Sequence, residues 1–315
     1  MDGKKVLIST FKNEAPFVLE FVAHHIAVGF DEIIIASNDC TDGTADILAA
    51  LDQAGLIHHL PCTPVGSLSP QSFAYAEIRA NFAVDRADWL MILDADEFLN
   101  IHVGQGRLKD LVDAQETPEL ILINWACFGS GQHQRWVDEP SCCRFVHRLR
   151  TTSGEGHVKS LIRTPAKWNR LSNHHPIGWG GEGPVRIAFA GGVWVEDVPA
   201  NTLTLGAYRD IEPTPRSFDV AQINHYATRT LDSFELRRRR GRGAALPESL
   251  NTRHVDSYFR RMACGKVLDL SIARYAPQVA ALMAEYRSVP SIDRAVSAGI
   301  RLYQDQIVGY WREQS

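Results

Sequence analysis

Residues 89–98 read WLMILDADEF, in which five apolar residues are followed by three carboxylates within four positions. The apolar run is typical of a buried strand, and Asp94, Asp96 and Glu97 begin where the run ends. Such a cluster repels itself unless protons or a cation neutralise it. The stretch therefore predicts a buried strand that leads directly into a polar site.

Strand and helix signals alternate along the chain before this stretch. Short apolar runs predict three earlier strands, and patterns of helical spacing lie between them. Pro16 suits the first turn of the first helix, and Gly29 ends it. This alternation predicts parallel βαβ units with helices on both faces and a ligand site beyond the carboxyl ends of the strands. The predicted strands are Lys5–Phe11, Glu32–Ser37 and Ile57–Leu60, and the later helices are Ala45–Ala54 and Phe73–Asp85.

The pattern changes after Ile101. Glu119–Ala126 (ELILINWA) predicts one more strong strand, and the mixed runs of residues 127–227 predict an irregular α+β extension of the same sheet. Helices are expected again after Thr230, including an arginine-rich segment (ELRRRRGRG) and an amphipathic stretch from Asp256 to Tyr286. The pattern favours one continuous unit over two separable domains.

Composition excludes several classes of protein. The formal net charge of −4 over 315 residues argues against a general nucleic-acid binder, which needs a basic surface. No apolar run approaches the roughly 20 residues that span a bilayer, and the N-terminus MDGKKVLIST lacks the apolar core of a signal peptide. Six cysteines without CxxC spacing argue against a zinc site and favour reduced thiols in a cytoplasm.

The aspartates predict a metal site. In an extended segment Asp94 and Asp96 point the same way, and paired carboxylates suit Mg²⁺ or Mn²⁺ holding a diphosphate. One alternative is a capping or turn cluster without a ligand. Another is a phosphatase-like hydrolase of the haloacid dehalogenase type, but that class expects Thr or Val where Phe98 stands and uses the first strand instead of the fourth.

Five segments between residues 4 and 243 carry a resemblance to a known family: ISTFKNEAPF, SNDCTDGT, IRANFAVDRADWLMILDADEF, INWACFGSGQH and INHYATRTLDSFELRRRRGRG. Together they resemble a GT-A glycosyltransferase of the family-2 type, near the branch that shares features with family 92. The resemblance implies an α/β, Rossmann-like fold with a mostly parallel sheet flanked by helices. Residues 1–227 would form the nucleotide-sugar-binding and catalytic domain, and residues 228–315 a C-terminal helical segment packing on it.

The activity that the resemblance implies is transfer of a hexose from a nucleoside-diphosphate sugar, with a UDP-sugar favoured, to a saccharide or lipid-linked acceptor. Such transfer depends on Mn²⁺ or Mg²⁺ and usually inverts the anomeric carbon. Two alternatives stay open at this point. The chain could be a nucleotide-sugar-binding protein without turnover, or a metal-dependent nucleotidyl- or phosphohydrolase that uses the same carboxylates.

The resemblance also implies roles for individual residues. Asp94, Asp96 and His225 would hold the metal ion. The nucleotide contacts would come from residues in the loops after the first two strands, in the helix before the DxD strand and in a later strand: Thr10, Asn13, Glu14, Asp39, Arg79, Asn81 and Lys159. A helix-capping role is the alternative for Asn13 and Glu14, and a surface salt bridge is the alternative for Arg79.

The general base and the basic segment have several interpretations. Direct displacement needs a carboxylate that takes the proton of the acceptor hydroxyl. Glu182 in GWGGEGP is the chosen candidate, with Asp138, Glu139 and Glu155 as competitors, because CCRF stands where a glutamate before RF is expected. Residues 237–240 with Arg242 could contact the diphosphate, face an anionic membrane or an acidic glycan, or form a solvated helix face. Peripheral association would be with the inner face of a membrane.

Overall fold

The computed structural model describes residues 3–115, 118–131, 133–150, 157–190, 194–198, 217–241, 243 and 254–314. Its first third has the predicted alternation of strands and helices, and the first helix begins and ends near the predicted residues. A short 3-10 turn with Pro16 leads into the first helix, and Gly29, at a φ of 107°, ends it. The elements in chain order are β1 (Lys5–Phe11), α1 (Val18–Val28), β2 (Glu32–Ser37), α2 (Thr44–Gln53), β3 (His58–Pro61), α3 (Pro70–Asn81) and β4 (Trp89–Ile92).

The remaining elements are shorter and more mixed until the last three helices. They are β5 (Glu97–Ile101), α4 (Leu108–Asp113), β6 (Leu120–Cys127), α5 (Ser141–Arg144), β7 (His147–Arg148), β8 (Val158–Arg163), β9 (Trp168–Arg170), β10 (Ile177–Trp179), β11 (Val185–Phe189), β12 (Trp194–Val198), β13 (Ala221–His225), α6 (Leu231–Arg240), α7 (Asp256–Ala263), β14 (Val267–Leu268), α8 (Ala276–Arg287) and α9 (Pro290–Gln314).

Ten strands form one sheet in the order β12-β11-β6-β8-β4-β1-β2-β3, with β13 joined to β6 and β5 joined to β13. The pairs β4-β1, β1-β2 and β2-β3 are parallel, whereas β8 runs antiparallel between β4 and β6. β11 is again parallel to β6, and β13 pairs parallel with the end of β6 and antiparallel with β5. The carboxyl ends of β1, β2, β4, β6 and β13 therefore lie at one edge, the carboxyl edge.

Side chains alternate across the sheet into two cores. Leu7 of β1 belongs to the core that includes residues of α1, α2, α8 and α9, whereas its neighbours Val6 and Ile8 belong to the core on the other face, with Tyr75 and Ile78 of α3. This period of two is what a strand buried on both faces requires. The predicted fold class, a mostly parallel α/β sheet flanked by helices with an α+β extension and C-terminal helices, is confirmed.

Two predicted helices differ from the structure. The helix expected over 73–85 ends at Asn81 and is followed by a 3-10 turn, Val84–Arg86. The amphipathic stretch from Asp256 to Tyr286 is broken into α7 and α8, because β14 between them pairs with β7. At Gly265 a Cβ atom would lie 2.1 Å from the carbonyl oxygen of His147, so only glycine allows this approach. Among the described residues no helix is long and apolar enough to span a membrane.

Candidate active site

Asp94 and Asp96 lie at the carboxyl edge, in the turn that joins β4 to β5. β4 ends at Ile92, and the backbone N–H of Glu97 donates to the carbonyl oxygen of Asp94 at 3.0 Å, which closes the turn. Strand alternation, from which both carboxylates were expected to point the same way, does not apply here, because alternation requires an extended backbone and these residues form a turn. Each carboxylate instead has its own set of partners.

Asp94 is the outer of the two carboxylates, with 24% of its side chain exposed. Its oxygens accept hydrogen bonds from Gln71 Nε2 at 2.7 Å, and from Lys159 Nζ and Asn173 Nδ2 at 3.3 Å. Burial by itself raises the pKa of Asp94, but the ammonium group of Lys159 holds it below the usual value. Asp94 is therefore an ionised carboxylate whose orientation is fixed by three hydrogen bonds and whose oxygens could bind a cation. Sequence reasoning did not identify Gln71 or Asn173, since neither belongs to a motif.

Glu97, the third carboxylate of the opening stretch, faces the interior. Its Oε2 accepts the backbone N–H of Asp94 at 2.7 Å and lies 2.8 Å from Lys159 Nζ, and both side chains are fully buried. Burial raises the pKa of Glu97 to about 8, against the opposing effect of Lys159. Burial by itself lowers the pKa of Lys159, but Asp94 and Glu97 together raise it. Lys159, expected at the diphosphate, thus lies beneath the turn and orients Asp94.

Asp96 is paired with two groups from the C-terminal third of the chain. Its Oδ2 lies 3.4 Å from Nε2 of His225 and 2.6 Å from Nη1 of Arg237. The backbone N–H of Tyr226 donates to the carbonyl oxygen of Asp96 at 2.8 Å, so the end of β13 is attached to the turn. Burial by itself raises the pKa of Asp96, but Arg237 holds it well below the usual value. The structure therefore brings His225 to the DxD turn.

The rings of His225 and Trp125 form a close, tilted pair at the same edge. Their ring centroids lie 4.0 Å apart at an interplanar angle of 39°. His157 and His174 also contact the indole of Trp125, with centroids 4.8 and 5.4 Å away. The indole is 7% exposed, so Trp125 chiefly orients the imidazole of His225.

Glu14 is the centre of an arginine cluster, which we define as Arg229, Arg237 and Arg240. The carboxylate lies 2.9 Å from Arg229, 3.3 Å from Arg237 and 2.6 Å from Arg240. Burial by itself raises the pKa of Glu14, but the three guanidinium groups lower it below the usual value. Glu14, expected beside the ribose, is 4% exposed and joins the first loop of the sheet to α6.

The loops after β1 and β2 are joined to each other by Asn13. Its side-chain amide donates to Oγ1 of Thr41 at 3.0 Å and accepts the backbone N–H of Thr41 at 2.8 Å. Asn13 and Asp39 both have a positive φ, 52° and 47°, which Asn and Asp tolerate better than most residues. Asp39 is 65% exposed at the carboxyl edge, where a ligand can reach it. Thr10, at the end of β1, is hydrogen-bonded to Tyr75.

Three expected site residues lie away from this edge. α3 begins at the carboxyl edge with Gln71, and a helix rises 1.5 Å per residue, so Arg79 and Asn81 are displaced by about 12 and 15 Å. Arg79 pairs with Asp85, and the amide of Asn81 donates to the carbonyl of Glu77 within the same helix. Glu182 is exposed in the loop before β11, a strand parallel to β6, and thus lies at the opposite edge.

The arginines of α6 have protein partners. Arg237 and Arg240 belong to the arginine cluster, Arg238 pairs with Asp256, and Arg239 pairs with Glu313. This arrangement gives no support to a basic face for a membrane. Arg242 and the base candidate Glu155 lie outside the described residues.

The side chains at the turn fit a divalent cation in part. Asp96 and His225 present an oxygen and a nitrogen 3.4 Å apart, and Asp94 precedes Asp96 in the turn between β4 and β5. Arg237, however, contacts the Asp96 oxygen that a cation would use. Within the described ranges no three His, Cys, Asp or Glu side chains are arranged to hold a metal ion between them. An ion here would need ligand oxygens as well, which is usual for Mg²⁺.

Comparison with known proteins found one informative sequence relative, and no protein-family model matches the chain. The chain is 25% identical over 166 residues to a glycosyltransferase family 92 protein of Oryza sativa subsp. japonica. This region is 52% of the present chain and 28% of the relative, so the chain spans under a third of the relative's length. The resemblance predicted from the five segments is confirmed as a sequence similarity.

Some solved structures are similar to part of this chain. Staphylococcus aureus TarS 1–349 in complex with UDP is 16% identical, with a TM-score of 0.34, covering 51% of this chain and 47% of that chain. Glucosyl-3-phosphoglycerate synthase from Mycobacterium tuberculosis, in complex with Mn²⁺, UDP and phosphoglyceric acid, is 14% identical, with a TM-score of 0.27 and coverages of 38% and 42%. The fold class follows from the sheet of this chain itself. The chain thus has the α/β fold expected of a GT-A glycosyltransferase and is similar in sequence, over half of its length, to a member of family 92.

Proposed function

We propose that the protein is a glycosyltransferase that moves a hexose from a UDP-sugar to a saccharide or lipid-linked acceptor. The observation that carries the proposal is the DxD turn at the carboxyl edge, with His225 Nε2 3.4 Å from Asp96 Oδ2. Ligands of open α/β sheets bind beyond the carboxyl ends of their strands. The sequence similarity to a family 92 protein supports the same activity.

The nucleoside would lie over the loops after β1 and β2. Asp39 is exposed there, and the two hydrogen bonds between Asn13 and Thr41 make the two loops one surface. An exposed carboxylate can accept hydrogen bonds from the N–H of a base or from ribose hydroxyls. We therefore assign nucleoside recognition to Asp39 and loop positioning to Asn13.

The diphosphate would lie at the DxD turn with Mn²⁺ or Mg²⁺. Asp94, Asp96 and His225 would hold the cation, together with diphosphate oxygens. When bound, the cation neutralises the negative charge of the leaving diphosphate. Lys159 and Gln71 orient the Asp94 carboxylate, and Trp125 orients the imidazole of His225.

The acceptor hydroxyl must lose its proton to a carboxylate on the same side of the sheet. Glu182 lies at the opposite edge, so we do not assign this step to it. Asp138 and Glu139 are exposed in the chain that follows β6 at its carboxyl end, and they are the carboxylates we place on the acceptor side. A base that acts directly on the acceptor implies inversion at the anomeric carbon.

Product analysis tests the proposal against its two alternatives. The protein is incubated with UDP-hexoses, Mn²⁺ and a panel of saccharide and glycolipid acceptors, and the products are separated by mass spectrometry. A new glycoside together with UDP is the expected result. Release of a monophosphate would instead indicate a hydrolase, and intact UDP-sugar bound without turnover would indicate a binding protein.

A further inference from the structure

A small cavity adjoins the arginine cluster, whose members Arg229 and Arg237 also contact the DxD turn. It has a volume of about 20 Å³, which is room for one water-sized particle. Its lining comes from the loop after β1, the residues that lead into α6, α6 itself and the C-terminal helix α9, and includes Glu14, Thr228, Arg229, Ser233, Arg237 and Tyr303.

The charges around this cavity do not balance. Three guanidinium groups, those of Arg229, Arg237 and Arg240, contact two carboxylates, those of Glu14 and Asp96. One positive charge of the cluster therefore has no counter-charge within it. Glu14 and Arg229 are almost completely buried, and the side chains of Arg237 and Arg240 are 12% and 16% exposed, so most of the cluster is shielded from solvent.

Two polar groups of the lining have no hydrogen-bond partner among the described residues. These are Nε of Arg229 and Oγ1 of Thr228, whose residues are 3% and 1% exposed. A buried donor without a partner costs about 1–3 kcal/mol, more if it is charged. Both residues directly precede Thr230, the N-cap of α6, and the positive end of that helix dipole adds to the field in the cavity.

We propose that this cavity binds a water-sized monovalent anion, with chloride as the natural occupant. The anion would accept hydrogen bonds from Arg229 Nε and Thr228 Oγ1 and supply the missing negative charge. The cavity is too small for a phosphate group, so the site is separate from the diphosphate position at the DxD turn. The inference is independent of the proposed glycosyl transfer.

Bromide identifies such a site directly, because its anomalous scattering distinguishes it from water. Crystals of the full-length protein are soaked in sodium bromide, and melting temperatures are measured in sodium chloride and in sodium gluconate at equal ionic strength. We expect an anomalous peak between Arg229 Nε and Thr228 Oγ1. We also expect a saturable rise of the melting temperature with chloride that gluconate, which is too large for the cavity, does not produce.

Two variants of one residue provide the matched control. Thr228→Ser keeps the hydroxyl group and should keep the chloride dependence. Thr228→Val keeps the shape of threonine without the donor, and should weaken halide binding by about tenfold. Three results would overturn the proposal. They are a cavity that holds water and no bromide, equal melting temperatures in sodium chloride and sodium gluconate, and an unchanged halide affinity in Thr228→Val.

Discussion

Arg237 Nη1 lies 2.6 Å from Asp96 Oδ2, on the same oxygen that His225 Nε2 approaches to 3.4 Å. The guanidinium group of Arg237 thus neutralises the carboxylate of Asp96, which is a proposed metal ligand. Arg237 has other anchors, since it donates to the carbonyl of Ala227 at 2.8 Å and to Glu14 at 3.3 Å. A divalent cation at the turn must therefore compete with Arg237 for Asp96, and the guanidinium can give up this carboxylate without losing every partner.

Removing this competition should strengthen binding of the free cation. In Arg237→Met, we expect Mn²⁺ to bind severalfold more tightly in the absence of nucleotide, because Asp96 no longer has a guanidinium partner. Glu14 keeps Arg229 and Arg240, so the fold should persist. Mn²⁺ titration followed by electron paramagnetic resonance measures the affinity. Arg239→Met, which removes an exposed pair with Glu313, is the matched control and should leave the affinity unchanged. Weaker Mn²⁺ binding in Arg237→Met would show that no such competition exists.

Lys159 should be a large contributor to stability. Lys159→Met removes the ammonium group that pairs with the ionised Asp94 and contacts the buried Glu97, and breaking a buried pair in this way costs about 3–5 kcal/mol. Urea unfolding measures the loss. Lys109→Met is the surface control, because its pair with Asp113 is half-exposed and such pairs contribute at most about 1 kcal/mol. A loss in Lys159→Met no larger than in the control would contradict the assigned role.

The stability of the protein should fall in mild acid through His24. Burial lowers the pKa of His24 to about 4, from 6.5 in the unfolded chain. The unfolded state thus binds the proton more tightly, and stability is lost as the pH falls from 6.5 towards 4, by about 3 kcal/mol. His24→Gln can keep a donor to the carbonyl oxygen of Leu99, which His24 Nε2 contacts at 2.8 Å, without titrating. Urea unfolding at pH 7 and pH 5 should show a smaller difference for this variant than for the wild type. Equal differences would exclude His24 as the source.

The local parts of this fold were predictable from sequence. β1, β2 and β6 each contain an apolar run of three or four residues, and Pro16 and Gly29 affect only the helix ends next to them. The DxD turn was predicted at the carboxyl edge for the same reason, because it follows a buried strand directly. His225 was added by the resemblance to a family, since no local signal places it beside Asp96.

Contacts distant in sequence were not predictable. Glu14 and Arg229 are 215 positions apart, and no periodicity relates them. Arg79 and Asn81 were assigned to the nucleotide because their helix approaches the site, but only the direction of α3 shows that its first turn, with Gln71, is the near end. The break between α7 and α8 comes from pairing of β14 with β7, which the amphipathic pattern does not contain.

Nucleoside recognition should depend on Asp39. A hydrogen bond to a charged group is worth about 1.5–3 kcal/mol, so Asp39→Ala should weaken UDP binding by about tenfold to a hundredfold. Binding of inorganic diphosphate with Mn²⁺ should stay nearly unchanged, since Asp39 does not belong to the DxD turn. Calorimetric titration of both ligands decides the point, with Asp46→Ala on the exposed face of α2 as the control. Equal losses for both ligands would mean that Asp39 supports the loop and does not contact the nucleoside.

The central claim is that Asp96 belongs to a cation-dependent nucleotide site at the carboxyl edge. Calorimetric titration of UDP, with and without Mn²⁺, into the wild type and Asp96→Ala tests this claim most directly. We predict that UDP binds the wild type tightly only with Mn²⁺, and that Asp96→Ala loses this binding while keeping a cooperative unfolding transition. Equal UDP affinity with and without Mn²⁺, or Mn²⁺-dependent binding that persists in Asp96→Ala, would contradict it.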